Sequence, residues 1–193
     1  YGRCCDVLAV DTYPITNGVI EDVGGNIAKA YDQLENETPV WHCGQMFTWP
    51  EQRRPNSQEH RFMTYHPLMN GAKGLLWYTF KGYGQSLPVD DPVLWNSQKN
   101  LLAEISELIP LFLEPGFGKQ VRLVDDNKLI QAKIKKSPIG TFVIALNISK
   151  TETVKPKLIV GKKYNGTISE FKKERDIIIK NGILEDEFKP LDV

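Results

Sequence analysis

In the first part of the chain, short apolar runs alternate with longer segments whose apolar residues recur at helical spacing. Polar residues or proline close the runs, which is how strands buried on both faces end. Three strand–helix units predict a parallel sheet with right-handed crossovers, and a closed barrel or an open doubly wound sheet satisfies this equally. The predicted strands are 6–14, 39–47 and 75–80, and the predicted helices are 23–34, 58–70 (kinked near its end by Pro67) and 92–113.

The periodicity changes at residues 114–118, where Pro and Gly follow the last helix. Beyond them the chain consists of short alternating runs separated by turn residues, which predicts an antiparallel β-sandwich. Asn-Gly pairs at 165–166 and 181–182 suit tight hairpins. We therefore place one domain at 1–115 and a sandwich at 116–193. The predicted strands of the sandwich are 120–124, 129–136, 141–149, 154–160, 164–169, 176–180 and 183–187.

Charge and composition narrow the classes of function. The 24 basic and 24 acidic residues cancel, so no overall field draws the chain to nucleic acid or to an anionic membrane surface. No stretch approaches the roughly 20 apolar residues of a membrane span, and no Gly-rich phosphate loop follows a predicted strand. The three cysteines, predicted to be core thiols, lack metal-site spacing. We expect no metal or organic cofactor.

Several stretches resemble glycoside hydrolases of the (β/α)8-barrel class. "DVLAVDTYPI" is similar to a sixth barrel strand, "PVWHCGQMFTW" to a seventh, and "RFMTYHPLMNGAKGLLWYTF" to the seventh helix and eighth strand. "LWNSQKNLLAEISELIPLFLEPG" looks like the last barrel helix, and the segment around "FVIALNIS" resembles the C-terminal domain common in those enzymes. The resemblance implies an α/β plus all-β fold, in which strands six to eight of a TIM barrel precede an antiparallel β-sandwich.

The same resemblance implies hydrolysis of O-glycosidic bonds in a poly- or oligosaccharide. Under that interpretation the chain begins inside the barrel and is also truncated at its end, so its main partner besides the carbohydrate is the missing N-terminal half of the barrel. We expect the fragment alone to be inactive and the complete protein to be secreted, periplasmic or exposed at the cell surface.

Barrel enzymes carry their active sites at the carboxyl ends of the strands, and this position selects the candidate residues. Asp11, at the end of the first strand, is the candidate catalytic carboxylate, with a loop-capping aspartate as the equally weighted alternative. Glycoside hydrolysis needs two carboxyl groups. Many retaining relatives carry a Glu at the end of the seventh strand, but this chain has Gln45 there. Catalysis would then depend on Asp11 and on residues upstream.

The candidate substrate-binding residues are aromatic or amide side chains near the same strand ends. Sugar rings pack their C–H faces on aromatic rings, while an amide can hydrogen-bond a hydroxyl. Alternation sends Trp77 and Tyr78 to opposite faces of their strand, and the sequence leaves open which of them meets the substrate and which packs in the barrel wall. The candidates are Tyr13, Gln45, Trp49, Trp77 and Tyr78, with Tyr83 as a further member of the aromatic floor.

Other residues receive structural interpretations. His42 lies within an apolar strand and is interpreted as a core residue, and His60 and His66 lie on a helix away from the strand ends. The sandwich shows no concentration of exposed Trp, so a supporting role is favoured over a glycan-binding one.

The competing hypothesis for the whole chain is a non-catalytic carbohydrate-binding barrel protein that has lost its acid pair.

Overall fold

The computed structural model describes residues 4–16, 18–35, 38–82 and 84–193. The chain divides into two compact units, Tyr1–Phe117 and Gly118–Val193. The described residues form a mixed α/β structure with several sheets, none of which closes into a barrel. No helix in these ranges is long and apolar enough to cross a membrane.

The first unit is built on a three-stranded parallel sheet in the order β1-β2-β3, and this sheet is open. The alternation of strand and helix that the sequence predicts is confirmed, with bounds that shift by a few residues. The elements are β1 (Leu8–Thr12), α1 (Asp22–Gln33), β2 (Val40–Gln45), α2 (Ser57–Met69), β3 (Gly74–Tyr78), β4 (Lys81–Gly82), β5 (Gln85–Ser86), α3 (Leu87–Asp90) and α4 (Pro92–Leu113).

Helix α2 begins with a capping box, which explains why the polar loop before it gives way to helix at Ser57. The Asn56 side chain accepts a hydrogen bond from the Glu59 backbone, and Glu59 Oε2 accepts one from the Asn56 backbone, both at 2.9 Å. Arg53 donates two hydrogen bonds of 2.6 Å to the same carboxylate. Pro67 lies inside the helix, two residues before its end.

The two faces of the parallel sheet have different surroundings. On one face, Trp77 packs with Met46, Leu87 and Leu94, and its ring lies 6.1 Å from that of His60 on α2. On the other face, Ala9 and Asp11 of β1 are exposed, as are Leu76 and Tyr78 of β3 and Trp41 of β2. The residues of this second face are adjacent in the parallel register, in which Asp11 pairs with Cys43 and Cys43 with Leu76. Helices therefore cover the face that carries Trp77, and the candidates Asp11 and Tyr78 lie on the other face.

The second unit has a five-stranded sheet in the order β11-β12-β13-β10-β7 and a three-stranded sheet in the order β6-β8-β9. Both are antiparallel, and Ala132 and Ala145 of the smaller sheet share one core with Leu158 and Leu184 of the larger. This is the sandwich arrangement that the sequence predicts. The strands are β6 (Lys119–Gln120), β7 (Arg122–Leu123), β8 (Ile130–Ser137), β9 (Gly140–Asn147), β10 (Lys157–Ile159), β11 (Gly166–Ser169), β12 (Asp176–Lys180) and β13 (Ile183–Glu185).

The two Asn-Gly pairs have different outcomes. Asn181 and Gly182 join β12 to β13 with φ values of 52° and 75°, the geometry of a primed hairpin turn, so that prediction is confirmed. The predicted hairpin at 165–166 is wrong. The edges of β10 are occupied by β13 and β7, so β11 pairs with β12 instead. Long-range strand order, which the local dipeptide does not encode, decides between the two.

Several predicted strands are also shorter than expected, among them 120–124 and 154–160. Residues 120–124 divide between two sheets, since β6 pairs with β8 of the smaller sheet and β7 with β10 of the larger. Residues 154–160 reduce to β10, while Val154 forms an isolated bridge with Phe188.

Candidate functional site

Asp11 and Tyr13 lie on the same face at the carboxyl end of β1. The Tyr13 hydroxyl donates a hydrogen bond to Asp11 Oδ2 at 3.2 Å, and it lies 3.7 Å from the Sγ atom of Cys43 on the neighbouring strand. Asp11 is exposed, whereas Cys43 is buried beneath the phenol. A carboxylate, a phenol and a thiol thus meet where β1 and β2 end.

A buried ring, Phe47, organises the aromatic side chains around this point. Its centroid lies 5.2 Å from that of Tyr13, 5.5 Å from that of Tyr78 and 4.7 Å from that of Trp49, and each pair is edge-to-face. Phe47 is 2% exposed, but Trp49 is 43% and Tyr78 40% exposed. The Tyr13 and Tyr78 rings are 6.2 Å apart. We call the six residues Asp11, Tyr13, Cys43, Phe47, Trp49 and Tyr78 the strand-end cluster.

Two members of the cluster, the Tyr13 phenol and the Cys43 thiol, have raised pKa values. Burial raises the pKa of Tyr13 well above its ordinary value, and the neighbouring Cys43 thiol and Asp11 carboxylate raise it further. Burial likewise raises the pKa of the Cys43 thiol. Both groups therefore keep their protons at neutral pH, and Tyr13 acts as a donor to the Asp11 carboxylate.

Gln45 lies beneath the site and is 1% exposed. Its Oε1 accepts the backbone N–H of Ile15 at 2.9 Å, and its Nε2 donates to the carbonyl of Phe47 at 3.3 Å. The amide thereby ties the loop after β1 to the loop after β2. This geometry fits a residue that holds the site loops better than one that touches a sugar directly.

Trp77 and Tyr78 point to opposite sides, as strand alternation predicts. Trp77 faces the helices and belongs to the packing described above, so it lies apart from the strand-end cluster. Tyr78 is the member of the pair that joins the cluster. The structure thus brings together Asp11, Tyr13, Trp49 and Tyr78 from the predicted set, while Tyr83 lies outside the described residues.

The histidines occupy the interior of the first unit. His42 and His60 are each 1% exposed, and burial lowers the pKa of each to about 4. Both are therefore neutral at physiological pH, in accord with the structural interpretation of His42. The prediction of three core thiols is wrong for Cys4 and Cys5, which are exposed near the start of the chain, while Cys43 is buried.

Two arginines in the loop before α2 are held by neighbouring side chains. Arg53 pairs with Glu59 at the start of α2, and Arg54 donates a 2.7 Å hydrogen bond to Gln85. Among the described residues, no group of three or more His, Cys, Asp or Glu side chains is placed to hold a metal ion.

Phe47 and Cys43 are the cluster members that sequence reasoning missed. Phe47 follows its strand in an apolar run and looks like ordinary core. Cys43 comes under Tyr13 only through the parallel register that pairs it with Asp11. Only their position in the sequence could have identified them. Each lies within four residues of the end of β2, and the strands beside β2 carry candidate residues.

No protein-family model matches the sequence, and no curated protein matches it. Among solved structures, the chain is similar to AmyP in complex with maltose, with 10% identity, a TM-score of 0.49, and coverage of 94% of this chain and 48% of that one. A variant of AmyP in complex with maltotriose gives 12% identity, a TM-score of 0.48, and coverage of 89% and 47%. The chain spans about half the length of these structures. At TM-scores this low, the likeness carries no inference about the fold or activity of this chain.

The strand-end cluster has the chemistry to bind a ring that is apolar on one face and polar at its rim. Exposed aromatic rings offer a surface for C–H groups, and the adjacent carboxylate accepts hydrogen bonds from hydroxyls. Asp11 is the one carboxylate among these six residues. Paired acid and base chemistry therefore needs a second group from outside the cluster.

Proposed function

We propose that this chain is part of a glycoside hydrolase that acts on O-glycosidic bonds of a poly- or oligosaccharide and binds the sugar at the strand-end cluster. Asp11 is the catalytic or substrate-orienting carboxylate, and Tyr13, Trp49 and Tyr78 contact the sugar. The observation that carries the proposal is the exposed Asp11 carboxylate, held by Tyr13 beside the exposed ring of Tyr78.

The exposure of the aromatic rings supports a binding role over a packing role. Trp49 and Tyr78 leave about two-fifths of their surfaces in water, although both pack edgewise on a buried phenylalanine. Exposed aromatic surface beside a polar group is typical of ligand sites, where the apolar face gives affinity and the polar group fixes orientation. A sugar ring matches both requirements.

Hydrolysis also requires a second carboxyl group at about 5 to 9.5 Å from the first, depending on stereochemistry. In the proposal this acid comes from barrel strands that are not part of the chain. The first unit supplies the aromatic surface and one carboxylate, and the two-acid site forms only when those strands are present.

The second candidate function is carbohydrate binding without catalysis. It is favoured by the residue that ends β2, where the neutral amide of Gln45 occupies the position at which many relatives carry an acid. The same amide is buried and engaged with backbone groups, so it contributes to structure and not to proton transfer.

Oligosaccharide titrations of the 193-residue chain test the binding site that both candidates share. A panel of gluco-, xylo-, manno- and galacto-oligosaccharides is titrated by isothermal calorimetry. We expect Tyr78→Ala to weaken binding of the best ligand about tenfold or more, since the change removes an apolar ring surface whose burial is worth about 1.5 kcal/mol or more. Trp41→Ala is the matched control, because Trp41 is exposed to a similar extent, 36% against 40%, on the same face but at the opposite end of β2.

Two results would refute the proposed site: no member of the panel binds, or Tyr78→Ala and Trp41→Ala weaken binding equally. A hydrolysis assay on the best-bound glycan, with the protein joined to its complementary barrel strands, then separates the candidates. Cleavage that Asp11→Asn abolishes supports the enzyme, and tight binding without cleavage supports the carbohydrate-binding protein.

A further inference from the structure

The charge at the strand-end cluster differs from the charge of the whole chain. The chain is neutral overall, but the cluster carries one ionised carboxylate, while the protons of Tyr13 and Cys43 are held by raised pKa values. The Tyr13 hydroxyl donates a hydrogen bond to Asp11, and none of the described Lys or Arg side chains forms an ion pair with it. The six residues of the strand-end cluster therefore carry a net negative formal charge.

The aromatic rings beside this carboxylate also favour a positively charged ligand. The faces of tyrosine rings attract cations that come within about 6 Å of the ring centroid. The Tyr13 and Tyr78 centroids are 6.2 Å apart, with the ring planes tilted by 32°, so one small cation can approach both rings. The buried Phe47 holds each of them edgewise, which fixes their spacing before a ligand arrives.

We infer that the sugar bound at the strand-end cluster carries a protonated amine, as a glucosamine unit does, placed between the Asp11 carboxylate and the Tyr13 and Tyr78 rings. This inference rests on the proposed function and names its substrate class. An ammonium group donates hydrogen bonds to the carboxylate and contacts the ring faces, whereas a neutral hydroxyl at the same place makes only the hydrogen bond. An acidic sugar would meet like charge.

Three trisaccharides with the same linkage but different substituents at C2 test the inference: cellotriose with a hydroxyl, the glucosamine trimer with an ammonium group, and the N-acetylglucosamine trimer with a neutral amide. Each is titrated into the 193-residue chain at a pH where the sugar amines are protonated and carboxylates are ionised. We expect the glucosamine trimer to bind about tenfold more tightly than cellotriose. Added salt should reduce this ratio, because exposed charges are screened.

Asp11→Asn tests whether the Asp11 charge causes the preference for the glucosamine trimer. The variant keeps an oxygen that accepts the hydrogen bond from Tyr13 but removes the negative charge. We expect it to reduce the ratio between the glucosamine trimer and cellotriose to about one. Asp6→Asn is the matched control, an exposed aspartate before the start of β1, and should leave the ratio at its original value.

The outcomes separate this inference from the function beneath it. If cellotriose binds as tightly as the glucosamine trimer, or if Asp11→Asn keeps the preference, the amino-sugar assignment is overturned while the sugar site stands. If none of the three trisaccharides binds and no other oligosaccharide of the panel binds, both the proposed function and this inference are wrong.

Discussion

The hydroxyl of Tyr13 donates a hydrogen bond to Oδ2 of Asp11, two residues earlier on the same strand end, at 3.2 Å. Residues i and i+2 of an extended chain project from the same face, so the sequence alone favours this pairing. The hydrogen bond fixes the orientation of the exposed Asp11 carboxylate, beside a tyrosine whose hydroxyl keeps its proton.

Tyr13→Phe removes the donor but keeps the ring. We expect the affinity for the best-bound oligosaccharide to fall about two- to twelvefold, because a hydrogen bond of this kind contributes about 0.5 to 1.5 kcal/mol. Isothermal calorimetry measures the change, and Tyr164→Phe in the second unit is the control that should bind as the unaltered chain does. An affinity unchanged by Tyr13→Phe would mean that Tyr13 does not orient Asp11 for the ligand.

Gln45→Leu tests whether the buried amide holds the site loops. The change leaves the Ile15 N–H without its 2.9 Å partner, so we expect the first unit to lose about 1 to 3 kcal/mol of unfolding free energy. Urea unfolding followed by tryptophan fluorescence reports on this unit, because all four tryptophans precede residue 118. Gln33→Leu, at the exposed end of α1, should change the unfolding free energy little; an equal loss in both variants would argue against the role given to Gln45.

The buried histidines predict sensitivity to acid. Burial lowers the pKa of His42 and His60 from 6.5 to about 4, so the unfolded chain binds protons there before the folded chain does. Their contribution to stability is complete above pH 6.5, declines as the pH falls below that value, and is lost at about pH 4. The loss is on the order of 3 kcal/mol for each histidine.

Unfolding free energies from urea curves between those pH values measure this effect, again by tryptophan fluorescence. His60→Gln should reduce the slope of unfolding free energy against pH, whatever it does to the absolute stability. Gln33→Leu should keep the original slope. A slope that is the same in His60→Gln and in the unaltered chain would contradict the assignment.

Asn147, at the end of β9, forms hydrogen bonds to residues near the end of the second unit. Its Nδ2 lies within hydrogen-bonding distance of the carbonyls of Glu152, Phe188 and Lys189, at 2.7, 3.2 and 2.9 Å, and the residue is fully buried. Asn147→Asp replaces the donor with a carboxylate that faces these three carbonyls. We expect it to destabilise the second unit by about 3 kcal/mol or more.

Amide NMR signals of the second unit during urea unfolding measure this loss. Asn165→Asp is the matched control, since Asn165 also lies in an Asn-x-Ser/Thr triplet but is exposed. Equal stability of the two variants would contradict this role of Asn147.

Local pattern predicts much of this fold, and long-range pairing determines the rest. Apolar runs and helical spacing identify all three parallel strands, and alternation correctly separates Trp77 from Tyr78. Which of the two meets solvent depends on where α2 and α4 pack, as the contact of Trp77 with His60 demonstrates. Cys43 enters the site through strand register, and Asn165-Gly166 fails as a hairpin through strand order. Neither strand register nor strand order can be determined from a short stretch of sequence.

The most direct test of the sugar site is an aromatic carbon–proton NMR titration of the chain with the best-bound oligosaccharide. We predict that the ring signals of Tyr13, Tyr78 and Trp49 shift as the ligand is added, while those of Trp41, on the same face but far from the strand ends, do not. Shifts centred on Trp41 or on the second unit, with the strand-end rings unchanged, would contradict the account.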